Sequence, residues 1–177
     1  MIRQQLVCGL LIMLGVTTTA RAQLLNGDAN FPILNEIRWE SKTNEVRSLC
    51  ERQHAVESST DSAIIISAPM LGFMARTEMK FDQGSRTLKT VEANFNEPTK
   101  TLVDSLTSHF TRIFGRAPIR TVKEKSVIIM TLRMEMAVWR SSAGLVNLVT
   151  ATRSDDPFSV RLLLRPPTIQ QSQSSPK

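Results

Sequence analysis

Apolar and polar positions alternate along several stretches of this chain and recur at helical spacing along two others. Ser62–Ala68, with Ile64-Ile65-Ile66 at its centre, is a β-branched run that predicts a buried strand, closed by Pro69 and Gly72. From Phe73 to Phe81 the period is two. Phe73, Ala75, Thr77, Met79 and Phe81 share one face, and Arg76, Glu78 and Lys80 share the other with Met74. Asp82-Gln83-Gly84-Ser85 predicts a turn in which Gly supplies the positive φ, and Thr87–Phe95 returns as the partner strand. Period two also runs from Ser126 to Arg140. Ile128, Met130, Leu132, Met134, Met136 and Val138 lie on one side, and Val127, Ile129, Thr131, Arg133, Glu135, Ala137 and Trp139 on the other. Met, Leu and Glu favour a helix here, but the length of the alternation decides for a strand. Leu145–Thr152 and Phe158–Arg165 predict two more strands, on either side of Ser154-Asp155-Asp156-Pro157.

Two segments carry the helical period. Ser41-Lys42-Thr43-Asn44-Glu45 is a helix-start signature, and Val46, Leu49 and Cys50 fall at i, i+3 and i+4, predicting a short helix with Trp39 packed across its start. Glu97-Pro98-Thr99 opens the second helix, whose apolar stripe is Leu102, Val103, Leu106, Phe110, Ile113 and Phe114. Gly115 ends it and Pro118 prevents continuation. The residues between 55 and 61 are polar and turn-like.

These elements predict an α+β fold, an antiparallel six-stranded sheet with two helices on one face. Two architectures fit the order helix, three strands, helix, three strands. One is a single domain over residues 37–166 with no duplication. The other is two αβββ units, roughly 37–95 and 98–165, side by side in one sheet. Residues 23–36, with Gly27, Asp28, Asn30 and Pro32, read as an extended lead-in, and the Gln-, Ser- and Pro-rich residues 167–177 as a disordered tail.

The first 22 residues follow a different logic. Leu6–Val16 is an unbroken run of apolar residues and Gly, too short for a spanning helix and followed by Ala20-Arg21-Ala22. This pattern predicts a signal peptide cleaved after Ala22, hence a periplasmic or secreted protein with no membrane span in its mature form. Position 23 is Gln rather than Cys, so no lipid anchor is expected. Removing residues 1–22 takes away Arg3 and Arg21 and no acid, which lowers the net charge from +6 to +4. The remaining Lys and Arg are scattered and there is no Tyr, a composition that argues against a nucleic-acid partner. Cys8 leaves with the signal, so Cys50 stands alone and no intramolecular disulfide is expected.

Ile37-Arg38-Trp39-Glu40 followed by Asn44-Glu45-Val46-Arg47-Ser48-Leu49 resembles the helix opening of small exported α+β modules. These include outer-membrane assembly lipoproteins of the SmpA/OmlA type and the β-lactamase-inhibitor-like fold. The helix ending in Phe114-Gly115-Arg116-Ala117-Pro118 is similar to the same group. The resemblance implies a domain that acts by binding other proteins.

Chemistry-bearing constellations are few. The chain has no Gly-rich phosphate loop, no Gly-x-Ser-x-Gly and no His-Glu-x-x-His, and no cofactor is expected. Cys50 and His54 are four apart. On a continued helix they would share a face, as a thiolate activated by imidazole or as two zinc ligands completed by Glu57 or His109. The competing view makes Cys50 a core residue and His54 a surface one. Methionine is the remaining oddity, with Met74, Met130, Met134 and Met136 on strand faces. They are either core filler or, if bare, an adaptable partner-binding surface. Two functions therefore stand at this point. One is a non-catalytic binding domain for an envelope or secreted protein, and the other a thiol- or metal-dependent enzyme centred on Cys50 and His54.

Overall fold

A computed structural model describes Leu25 and residues 28–53, 55–127, 130–142 and 144–167. The predicted signal peptide and the tail beyond residue 167 lie outside the described residues, as does His54. The chain runs through α1 (Thr43–Arg52), β1 (Val56–Ser59), β2 (Ala63–Met70), β3 (Phe73–Phe81) and β4 (Leu88–Phe95). It continues with α2 (Lys100–Phe114), β5 (Ile119–Val127), β6 (Met130–Ser141), β7 (Gly144–Arg153) and β8 (Asp156–Arg165). The strands form one antiparallel sheet in the order β1-β2-β3-β4-β8-β7-β6-β5. Each half is a helix followed by a four-stranded meander, and the halves join through their last strands, with Val91 opposite Leu164 and Ala93 opposite Leu162. Both helices pack on one face, α1 against β1 and β2, α2 against β6, β7 and β8.

The sheet therefore has eight strands rather than the six expected, and its units are αββββ rather than αβββ. The two additional strands, β1 and β5, are the edges. Edge strands are held by backbone hydrogen bonds to one neighbour and bury little on either face, so they lack the apolar alternation that marks an interior strand. Val56-Glu57-Ser58-Ser59 shows this, and so does β5, which is almost wholly exposed. The stretch 126–140 is likewise not one strand. Ser126 and Val127 end β5, where Ser126 faces Thr131, and β6 starts at Met130. Residues 128 and 129 lie outside the described residues.

Other local expectations change for identifiable reasons. β2 continues through Pro69 to Met70, because β1 pairs with it only as far as Ile66 and the ring's missing N–H falls on an open edge. The β3–β4 turn takes its positive φ at Arg86, not at Gly84, and Asp82 organises it by accepting from the backbone N–H groups of Gly84 (3.0 Å) and Ser85 (2.8 Å). The lead-in is not extended. It folds through a short 3₁₀ turn at Leu34–Glu36 and contributes Phe31, Ile33 and Leu34 to the core. The α1 start forms half of a capping box, with Glu45 accepting from the Lys42 N–H at 3.0 Å. α2 starts two residues later than Pro98 suggests. Thr99 is its N-cap, accepting from the Leu102 N–H at 3.1 Å, and Gly115 closes it in the left-handed conformation.

The core lies between the helices and the sheet. Leu102, Leu106 and Phe110 of α2 meet a layer that includes Trp139, Leu148 and Leu162, while Val46, Leu49 and Cys50 of α1 face the Ile64 and Ile66 end. Ile113, the outlier of the predicted α2 stripe, remains exposed. Trp39 reaches across to the second half. A Cβ on Gly144 would stand 2.5 Å from the Arg165 carbonyl oxygen and 3.3 Å from Trp39 Nε1, so only glycine fits there.

Candidate functional site

The pairing registers fix which side chains share the face that the helices leave open. On β6 that face carries Leu132, Met134, Met136 and Val138, because Ala137 and Trp139 alternate into the core. Opposite them on β7 lie Ala151, Val149 and Asn147, and on β5 Lys125, Lys123, Thr121 and Ile119. Leu163 of β8 sits beside Asn147. The result is an apolar field on the second half of the sheet. Met134 is 51% exposed, Met136 36%, Ile119 64%, and Phe158, the extra residue at the β7–β8 irregularity, 55%.

The first half of the same face is different. Arg76 pairs with Glu57 at 3.1 Å, Lys80 with Glu78 at 3.1 Å, and Arg161, at the seam, with Glu92 at 3.1 Å. Ser67 also donates to Glu57, and this bond together with Arg76 holds the Glu57 carboxyl below its ordinary pKa. This half is a solvated ionic surface of the kind most proteins present, and each such pair stabilises little.

At the far end of the apolar field the surface dips into an open depression of about 270 Å³, lined by Lys123, Lys125, Leu132, Met134, Ala151 and Phe158 among others. Its floor is apolar. Two lysines of the β5 edge form one wall, and their four-carbon stems extend the apolar surface while the ammonium groups stay in water.

The methionines named from sequence thus separate. Met134 and Met136 stand together on the apolar half. Met74 is also exposed, at 48%, but it lies opposite Pro69 on the polar half. Met130 opens β6, and its side chain lies outside the described residues. Sequence inspection missed Ile119, Phe158, Lys123 and Lys125. The alternation of lysines at 123 and 125 was the available signal, but it requires knowing that 119–127 is an edge strand.

The thiol candidate looks different in place. Cys50 is fully buried on the inner side of α1, where burial first and the Glu51 charge second push its thiol up to about 11. Activation of a nucleophilic cysteine requires the opposite shift. His54 lies outside the described residues, and the other proposed zinc partners are engaged elsewhere. Glu57 is bound to Ser67 and Arg76, and His109 to Asp28. Among the described residues no three His, Cys, Asp or Glu side chains cluster as metal ligands would.

No protein-family profile, curated protein or solved structure matches the chain.

His109 and Asp28 form a second buried polar feature. His109 Nε2 meets the Asp28 carboxylate, and Arg112 approaches His109 Nδ1 at 3.3 Å. Burial alone would raise the Asp28 carboxyl, but hydrogen bonds from the Asn30 backbone and side chain and from His109 outweigh it and hold the group below its ordinary value. The rings of Phe31 and Phe110 enclose the pair, with centroids 5.4 and 5.7 Å from the imidazole. No nucleophilic side chain adjoins it among the described contacts, and its geometry is that of a clasp between the lead-in and α2.

Proposed function

We propose that this protein is an exported, non-catalytic binding domain that holds a protein partner in the periplasmic or secreted space, using the open face of the second half of its sheet. One observation carries the reading. Met134, Met136, Ile119 and Phe158 stand exposed on a face that neither helix covers, while the neighbouring half of that face carries ion pairs and a single exposed Met, Met74. Contiguous exposed apolar surface is costly for a monomer and marks interaction sites. Flexible thioethers suit a surface that must conform to a partner, and covering what remains exposed of Met134 or Met136 is worth roughly half or less of the ~1.5–3 kcal/mol for a whole side chain.

Export and cleavage after Ala22 belong to the same proposal, as does kinship in function with the exported binding modules that the Trp39 segment resembles. The buried, raised thiol of Cys50 supports a binding role over thiol chemistry.

The test is site-specific photo-crosslinking in cells that export the protein. A photoreactive residue at position 136 is expected to give a discrete adduct with a partner, and one at position 76, on the ion-paired half, none. Adducts absent from 136, or equal at both positions, would contradict the proposal.

A further inference from the structure

We infer that the partner presents an acidic, extended polypeptide segment, which anchors an apolar side chain in the depression that spans β5 to β8 and runs along the β5 edge. The inference rests on the binding-face reading above and adds the chemistry of the occupant.

Charge is the first argument. On the helix-side face of the β5–β6 hairpin the charges are neutralised internally, Arg120 with Glu135 and Arg133 with both Glu135 and Glu124. On the open face Lys123 and Lys125 wall the depression with no carboxylate within ion-pair distance among the described residues; Glu124, which also lines it, pairs with Arg133. Arg153, across from Leu132 on β7, faces Asp156 in the register with β8 and is not part of this wall. An apolar floor with an uncompensated cationic wall complements a segment that alternates apolar and acidic side chains. It also disfavours a second copy of this chain, whose own lysines would be brought against these.

Backbone is the second argument, and it separates a polypeptide from a membrane surface. β5 is an edge of nine residues with an unbroken register against β6, and no described strand pairs with its outer N–H and C=O groups. The opposite edge, β1, has four residues and an irregular register, which is how an edge is protected from pairing. An added peptide strand uses those outer groups, and its alternate side chains then point to the open face beside Thr121, Lys123 and Lys125 of β5, with Met134 and Met136 in the row beyond. A lipid surface has no use for a free strand edge.

The test compares short peptides with the purified protein by fluorescence anisotropy. One alternates leucine with glutamate, and the other alternates leucine with lysine. The acidic peptide should bind about tenfold or more tighter, and its affinity should fall as salt rises from about 50 to 300 mM. Replacing Lys123→Glu together with Lys125→Glu should reverse the preference, and Met134→Ser should weaken both peptides. If the reversal disturbs folding, Lys123→Gln with Lys125→Gln should abolish the salt dependence and the preference alike.

Equal binding of the two peptides overturns the inference. So does binding to phosphatidylcholine vesicles containing phosphatidylglycerol with no binding of either peptide, which would make the patch a membrane contact. It also falls if charge reversal promotes self-association while leaving peptide binding unchanged, because the lysines would then only guard the edge. Loss of peptide binding with a persistent crosslink at position 136 rejects the acidic segment and leaves the binding face standing. Loss of both rejects the face itself.

Discussion

Cys50 illustrates how much a single position is decided by its surroundings. The spacing of Val46, Leu49 and Cys50 places the thiol on the inner stripe of α1, and burial there raises it to about 11. A native-state assay with a thiol reagent at pH 8 is expected to show no reaction until denaturant is added; prompt labelling of the folded protein would restore the thiol-enzyme reading. Gly144 makes the complementary point. Its backbone sits at φ +147°, and any Cβ would collide with the Arg165 carbonyl, whereas Gly72, at φ +82°, has open space around its missing Cβ. Gly144→Ala should therefore cost roughly 2–4 kcal/mol in urea unfolding, against about 1 kcal/mol for Gly72→Ala. Equal costs would mean that the Trp39–Gly144 approach is not tight. Burial of Cys50 could be anticipated from its spacing. The demand for Gly at 144 could not, since it arises from Trp39, more than a hundred residues earlier in the chain.

At the scale of elements, the interior strands and both helices were legible because each carries a strong period. Ala75, Thr77, Met79 and Phe81 alternate into the core as written, and Leu102, Leu106 and Phe110 turn inward together. The edges were illegible for the reason that makes them edges: β1 and β5 lack a buried face, so polar residues satisfy them on both sides. The lead-in was misread because Pro32, Asp28 and Asn30 look like loop, yet Phe31 and Leu34 between them are core. Asp28 ties that segment to α2 through His109, and this has a pH consequence. Its folded-state pKa lies below its ordinary value of 3.8, so as pH falls the unfolded chain takes up the proton first. The stabilisation is fully present well above 3.8 and is lost as pH drops through the folded value. Urea midpoints of the native protein should fall more between pH 5 and pH 3 than those of Asp28→Asn, which lacks this contribution. Parallel declines would show that the carboxylate gains nothing from the clasp.

For the whole molecule, the two halves share an order of elements but not a surface. The first meander turns an ion-paired face to solvent, and the second turns a field of Met, Leu, Val and Ile. Alternation along 126–140 announced that one side of β6 would be apolar on either face. It did not announce which side the helices would take, because that depends on where Phe110 and Trp139 meet. Trp139 and Ala137 point inward, and so Met134 and Met136 point out. The central claim is that this uncovered field is where a partner sits. Methionine-methyl NMR tests it most directly, in the presence of a soluble nitroxide that broadens exposed methyl groups. In the isolated protein the signals of Met74, Met134 and Met136 should broaden and those of Met70 and Met79 should not. On addition of the protein captured from position 136, Met134 and Met136 should recover while Met74 stays broadened. Recovery at Met74 instead, or Met134 and Met136 still broadened in the complex, would contradict the account.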